Sequence, residues 1–114
     1  MLDVFHSLQK TDLFEKFKLQ LHKDYELAGF EMYSPKIYSN NLDVITDEIY
    51  SSLLKIEKAS LTGIQNLLYR IDISEQQLRQ ASELNAQLNF NQVITELIIK
   101  RTLQKVILKQ HYSS

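Results

Sequence analysis

The chain has 114 residues, of which 44% are apolar and 24% are charged, and these values are typical of one globular domain. The formal net charge is -1, so the chain lacks the basic excess with which proteins neutralise nucleic-acid phosphates. Zero cysteines exclude disulfides, thiolate metal sites and cysteine nucleophiles, while two glycines and one proline leave no glycine-rich phosphate-binding loop. We therefore predict a single domain over residues 1–114 with no cofactor, and nucleic acid is not an expected partner.

The start of the chain carries no targeting pattern. Residues 1–8 have no basic region before their apolar positions and no long apolar core, so we do not expect a secretory signal. No stretch approaches the run of about eighteen apolar residues that is needed to span a bilayer. The sequence thus predicts a cytoplasmic protein without a membrane partner.

Apolar residues recur every three or four positions through most of the chain, and this spacing predicts an all-α fold. The first stripe predicts a helix over 12–28, and Gly29 stands where a helix often ends in a left-handed residue. The next stripe keeps its phase and predicts one long helix over 42–72. At about 1.5 Å per residue this helix would span roughly 45 Å, so a kink near Gly63 is the alternative.

Capping signals mark the remaining helices. Ser74 and Gln77 have the spacing of a capping box, which predicts a helix over 75–87. The asparagine-rich segment that follows predicts a capped turn before a last helix over 91–111. The four segments together predict an up-and-down helical bundle of about four helices.

The last helix has apolar residues on two nearly opposite faces. A helix of this kind is buried by more than one partner, so it either threads the centre of the domain or lends its second half to another subunit. The second face supplies the candidate interface residues of this helix, which are Ile99, Leu103, Val106 and Ile107. Together with the length of the second stripe, this face predicts self-association as a homodimer.

Residues 29–40 form an apolar loop that contains Tyr33 and Tyr38. Tyrosine suits an interface because its ring contributes apolar area while its hydroxyl stays in contact with water. We therefore expect the loop either to pack across the bundle or to cover a binding surface, and Tyr33 and Tyr38 complete the candidate interface. The alternative is a pocket for a small molecule or a metal beneath this loop.

Three polar patterns are explained more simply by helix structure than by a metal, nucleic-acid or catalytic site. His22 and Glu26 lie one helical turn apart, but they supply only two of the ligands that a metal site requires. A basic stripe in the last helix, formed by Arg101, Lys105 and Lys109, lacks stacking aromatic residues and is interpreted as a solvated face. Carboxylates at the start of the second stripe are explained by the helix dipole. No metal site is predicted.

The function classes follow from these patterns. No nucleophile, base and oxyanion donor occur together, so we predict no catalytic activity. The leading hypothesis is a non-enzymatic interaction module that binds another protein, most simply a second copy. A helix-turn-helix can be drawn over 77–103, but its second helix opens without a cation that could reach DNA, so a nucleic-acid-associated protein is the last alternative.

Overall fold

A computed structural model gives the fold of residues 5–113, with side-chain environments as far as His111. This part of the chain is all-α, as the apolar spacing predicts, and it has two single turns of 3-10 helix at Ser7–Gln9 and Glu31–Tyr33. Residues 1–4, which carry part of the targeting prediction, lie outside the described residues. Five α-helices have both ends in the described part: α1 (Thr11–Leu27), α2 (Leu42–Ala59), α3 (Gly63–Ile71), α4 (Glu75–Leu84) and α5 (Phe90–Ser113).

The long helix predicted over 42–72 is two helices in the structure. Ser60 leaves α2 in an extended conformation (φ -153°, ψ 134°), and α3 begins at Gly63. The apolar stripe keeps its phase across this break, since Ile56 before it and Leu67 after it are both fully buried. The apolar spacing alone therefore predicts one continuous helix. The break lies where the alternative prediction placed a kink, near Gly63.

Capping explains the next two helix starts. The predicted box at α4 is present, because Gln77 N donates to Ser74 Oγ at 3.1 Å and Ser74 N donates to Gln77 Oε1 at 2.8 Å. The helix ends earlier than predicted, since Asn85 leaves the helical region with φ -124°. A second reciprocal pair caps the first turn of α5, in which Gln92 N donates to Asn89 Oδ1 at 2.9 Å and Asn89 N donates to Gln92 Oε1 at 2.8 Å.

The last helix, α5, lies at the centre of the fold, and each of the other four helices packs against it. This arrangement differs from the predicted up-and-down order, in which helices adjacent in sequence are the main neighbours. Ile99, Leu103 and Val106 are at most 4% exposed and belong to the core of the chain itself. These three side chains are covered by the chain's own helices, so their burial does not support the predicted interface with a second copy, which stays a prediction. Ile107 is half-buried.

The basic stripe of α5 is partly used inside the fold. Lys105 Nζ donates to Asp24 Oδ2 at 2.8 Å, and Arg101 Nη2 donates to Asp72 Oδ2 at 2.8 Å. The interpretation as a solvated face is wrong for Lys105, whose side chain is 17% exposed. These ion pairs hold α5 to α1 and to the end of α3.

Candidate functional site

A groove of about 590 Å³ opens between the end of α2, α3, the start of α4 and the first residue of α5. Large apolar side chains at its rim remain in solvent: Leu61 is fully exposed, Tyr69 is 79% exposed and Phe90 is 53% exposed. We call this surface the α3 groove. Its apolar lining includes Leu61, Ile64, Leu68, Tyr69, Leu78 and Phe90.

Two breaks in the helical backbone create the α3 groove. Because Ser60 is extended, Leu61 stands outside any helix. At the other end of α3, Asp72 adopts a left-handed conformation (φ 74°, ψ 48°) and donates its N–H to Leu68 O at 2.9 Å. Aspartate tolerates this conformation better than most residues other than glycine. Only residues 72–74 join α3 to α4, and these two helices do not pack face to face, so apolar side chains between them stay uncovered.

The α3 groove has a negatively charged rim. Its described lining includes the carboxylates of Glu57 and Glu75 and no lysine or arginine. Glu75 lies in the first turn of α4, where the helix dipole stabilises a carboxylate. The adjacent cation, Arg70, is held 5.9 Å from the centroid of the Tyr69 ring. The surface therefore combines exposed apolar area with negative charge.

A second groove, of about 500 Å³, lies between α1 and α5 and has the opposite charge. Lys16, Lys23 and Lys109 line it, together with the apolar side chains of Leu19 and Val106. Among the described residues that line this basic groove there is no carboxylate. The linings of the two grooves thus carry charges of opposite sign, although the net charge of the chain is only -1.

The loop at 29–40 packs against the bundle with part of its aromatic surface. Tyr33 is half-buried, and its ring lies 6.3 Å from that of Phe30 in a stacked arrangement. Ile37 is 5% exposed and belongs to the core. These side chains pack against the core, and the pocket for a small molecule or a metal beneath the loop stays a prediction. Tyr38, which is 86% exposed, remains available for contact with a partner.

The same loop adds a third possible ligand to the His22 and Glu26 pair. Glu31 lies beside them, and one ligand atom from each of the three side chains falls within 4.8 Å of the others. The helical spacing did not single out Glu31, because it lies beyond the end of α1. The available signal was Gly29, whose φ of 89° turns the chain back toward the helix.

A buried pair of hydroxyl groups joins α1 to α2. Tyr25 is fully buried, and its Oη lies 2.5 Å from Ser52 Oγ. Ser52 Oγ donates to Ile49 O at 2.7 Å, so the phenol is the donor to Ser52. Burial raises the pKa of Tyr25 far above its ordinary value, and the hydrogen bond to Ser52 opposes this only in part.

We expect this tyrosine to reduce the stability of the fold at alkaline pH. Because its folded-state pKa is raised, its contribution is fully present below the unfolded-state pKa of about 10 and is lost as pH rises above that value. Tyr25→Phe should flatten the alkaline limb, whereas the exposed Tyr38→Phe should leave it unchanged. Urea unfolding at a series of pH values measures both, and an alkaline limb that Tyr25→Phe does not alter would contradict the assignment.

Comparisons of the chain with protein-family models, with curated proteins and with solved structures found no match. Within the described part of the chain, no helix has the length and apolar character to cross a bilayer. Function is therefore inferred from the surfaces of the fold and their chemistry.

Proposed function

We propose that this chain is a non-enzymatic protein–protein interaction module that binds an amphipathic, basic helix of another protein in the α3 groove. The observation that carries the proposal is the fully exposed Leu61 at the rim of a concave apolar surface that also carries two carboxylates. Each of these features has a separate consequence for the partner.

The apolar rim provides the affinity. Isolated exposed apolar residues need no explanation, but Leu61, Tyr69 and Phe90 surround one concavity. Complete burial of a side chain of this size contributes about 1.5 to 3 kcal/mol. An amphipathic helix offers apolar side chains at positions i, i+3, i+4 and i+7, which is a common way to fill an apolar groove. Tyrosine is also enriched among the residues that dominate interface energies.

The carboxylates determine the charge of the partner. Glu57 and Glu75 flank the apolar lining, and the described residues that line the groove include no lysine or arginine, the nearby Arg70 being held over the Tyr69 ring. Lysine or arginine residues beside the apolar face of the bound helix would therefore meet opposite charge. Such complementarity raises the association rate and selects against acidic partners.

A second copy of the chain suits this groove less well. In a symmetric dimer the same patch faces itself, so Glu57 and Glu75 of both copies would be brought into one interface. The α5 face that motivated the homodimer prediction is buried within the chain. Self-association remains a prediction, and light scattering together with the peptide experiment distinguishes it from the proposed partner.

Selection of peptides on the folded protein tests the proposal and does not require a candidate partner protein. A displayed library of random peptides, about twenty residues long so that each can form a helix of several turns, is selected against the immobilised chain. We expect enrichment of sequences with helical apolar spacing and net positive charge. Enrichment of acidic sequences, or none above an unrelated control protein, would contradict the proposal.

Leu61→Ser should weaken binding of a selected peptide by about tenfold or more, which is the loss of about 1.4 kcal/mol. The change should not affect folding because this side chain is fully exposed. Leu19→Ser is the matched control, since Leu19 is 72% exposed but lines the basic groove. Fluorescence anisotropy with a labelled peptide gives the dissociation constants. Equal weakening by both variants would show that binding does not depend on the α3 groove.

Two further measurements test the contribution of the rim charge to peptide binding and the alternative that a second copy of the chain occupies the groove. Glu57→Gln should lower the association rate and reduce its dependence on salt, because the rim charge steers a basic helix. Light scattering on the protein alone reports its mass over a range of concentrations. A dimer that Leu61→Ser dissociates would show that the α3 groove serves a second copy and would overturn the proposed partner.

A further inference from the structure

Three potential metal ligands come together where α1 ends. His22 and Glu26 are one turn apart on α1, and Glu31 belongs to the 3-10 turn that follows. One ligand atom from each lies within 4.8 Å of the other two, and all three side chains are exposed. This cluster is separate from the α3 groove and plays no part in the proposed helix binding.

Local hydrogen bonds, rather than a flexible loop, bring Glu31 to the helix. Gly29 N donates to Glu26 O at 3.0 Å, and Phe30 N donates to Tyr25 O at 2.8 Å. These two bonds are those of a Schellman motif, which requires the left-handed conformation that Gly29 adopts with φ 89°. The chain therefore reverses at a defined position, and the third ligand faces the last turns of α1.

The imidazole of His22 is held by a residue outside the cluster. His22 Nδ1 lies 2.9 Å from Ser34 Oγ, while His22 Nε2 lies 3.7 Å from Glu31 Oε1. In the tautomer in which Nδ1–H donates to the serine hydroxyl, the Nε2 lone pair faces the carboxylate of Glu31. Either a proton on Nε2 or a metal ion between the two groups makes that contact favourable. A hydrogen bond to the second ring nitrogen is the usual way in which proteins orient a metal-binding histidine.

We propose that His22, Glu26 and Glu31 form a three-ligand site for a divalent transition-metal ion of the zinc class. One nitrogen and two carboxylate oxygens favour zinc, cobalt or nickel over magnesium and calcium, which prefer oxygen ligands alone. Ligand atoms about 2.0 to 2.2 Å from a tetrahedral ion lie about 3.4 Å apart. Exposed side chains can close from the observed spacing by small rotations, and water completes the coordination.

Occupation of the site would link the 3-10 turn to α1. The turn leads into the loop at 29–40, so bound metal should hold the start of this loop against the bundle. A position filled by water also remains open to an anionic group of another molecule.

Titration of metal-free protein with Zn²⁺ and Co²⁺ tests the site. Calorimetry should show one ion bound per chain, and Co²⁺ should give a visible absorption spectrum that Zn²⁺ displaces and Mg²⁺ does not. The test is independent of the peptide experiment, so either proposal can fail alone. Absence of binding at millimolar metal would overturn the site.

Substitutions assign the ligands. Glu31→Gln should weaken Zn²⁺ binding by about tenfold or more, and Ser34→Ala, which removes only the support of the ring, by about tenfold. Glu83→Gln is the matched control, since Glu83 is an exposed glutamate on α4. Circular dichroism verifies that each variant is folded. Equal affinity in Glu31→Gln and the unaltered chain would show that any bound metal is held elsewhere, for instance at His6 or His111, and would overturn the proposal.

Discussion

Replacement of Lys105 by methionine is expected to lower the free energy of unfolding by about 3 to 5 kcal/mol. The Asp24 side chain is only 4% exposed, and Lys105 Nζ donates to its Oδ2 at 2.8 Å. Methionine retains most of the apolar length of the side chain but leaves the buried carboxylate without its counter-charge. The remaining donor to Asp24 is Gln20 Nε2 at 3.2 Å, which carries no charge.

Substitution of Asp24 should lower the free energy of unfolding less than substitution of Lys105. Asp24→Asn leaves an ammonium group on a partly exposed side chain, and the long stem of Lys105 can carry it toward water. We therefore expect a smaller loss than with Lys105→Met, and the double variant should recover part of the loss because no buried charge remains. Lys55→Met is the matched control on the exposed face of α2. Urea unfolding compares these four variants with the unaltered chain, and a Lys105→Met loss no larger than that of the control would contradict the role of the pair.

Gly63→Ala should destabilise the fold by about 1 to 3 kcal/mol, although alanine is the better helix former. A Cβ atom at this position would lie 2.6 Å from Ile56 Cγ2 and 2.7 Å from Phe30 Cζ. Ile56 is fully buried and branched at Cβ, so it has little freedom to move. The missing side chain thus permits close approach of α3, α2 and the loop at 29–40.

Two comparisons isolate this steric effect. Gly29→Ala meets no atom within 4 Å, so its cost of about 1 to 2 kcal/mol should come from the positive φ alone. Phe30→Leu removes one of the two clashing atoms, and the loss caused by Gly63→Ala should be smaller in that background. Thermal unfolding of the two single variants and the double variant gives the coupling free energy between positions 63 and 30. A Gly63→Ala protein as stable as the unaltered chain would show that the close approach is not required.

Features determined by neighbouring residues could be predicted from the sequence. The start of α4 follows from Ser74 and Gln77, whose reciprocal bonds need no tertiary contact. The buried face of α1 also follows its apolar spacing, since Phe17, Leu21 and Tyr25 are at most 1% exposed. These signals suffice for the fold class and for most helix boundaries.

Features that depend on packing between distant segments could not be predicted. Hydrophobic spacing continues through Ser60 because both sides of the break face the same core, so the pattern contains no interruption. The apolar character of the second face of α5 predicts that this face is buried, but it does not identify the element that buries it. In the structure Ile99 and Leu103 pack against the chain's own helices. Leu61 and Phe90 come from separate parts of the chain, and only the folded protein brings them to one groove.

The most direct test of the proposed function is a map of the peptide-binding surface by two-dimensional NMR of isotope-labelled protein. A selected basic amphipathic peptide is added stepwise, and the amide shifts are followed. We predict that the largest changes fall at residues 57–78 and at Phe90, and that Leu61→Ser reduces them at equal peptide concentration. Changes centred on Leu19 and Val106 in the basic groove, or spread evenly over the chain, would contradict binding in the α3 groove.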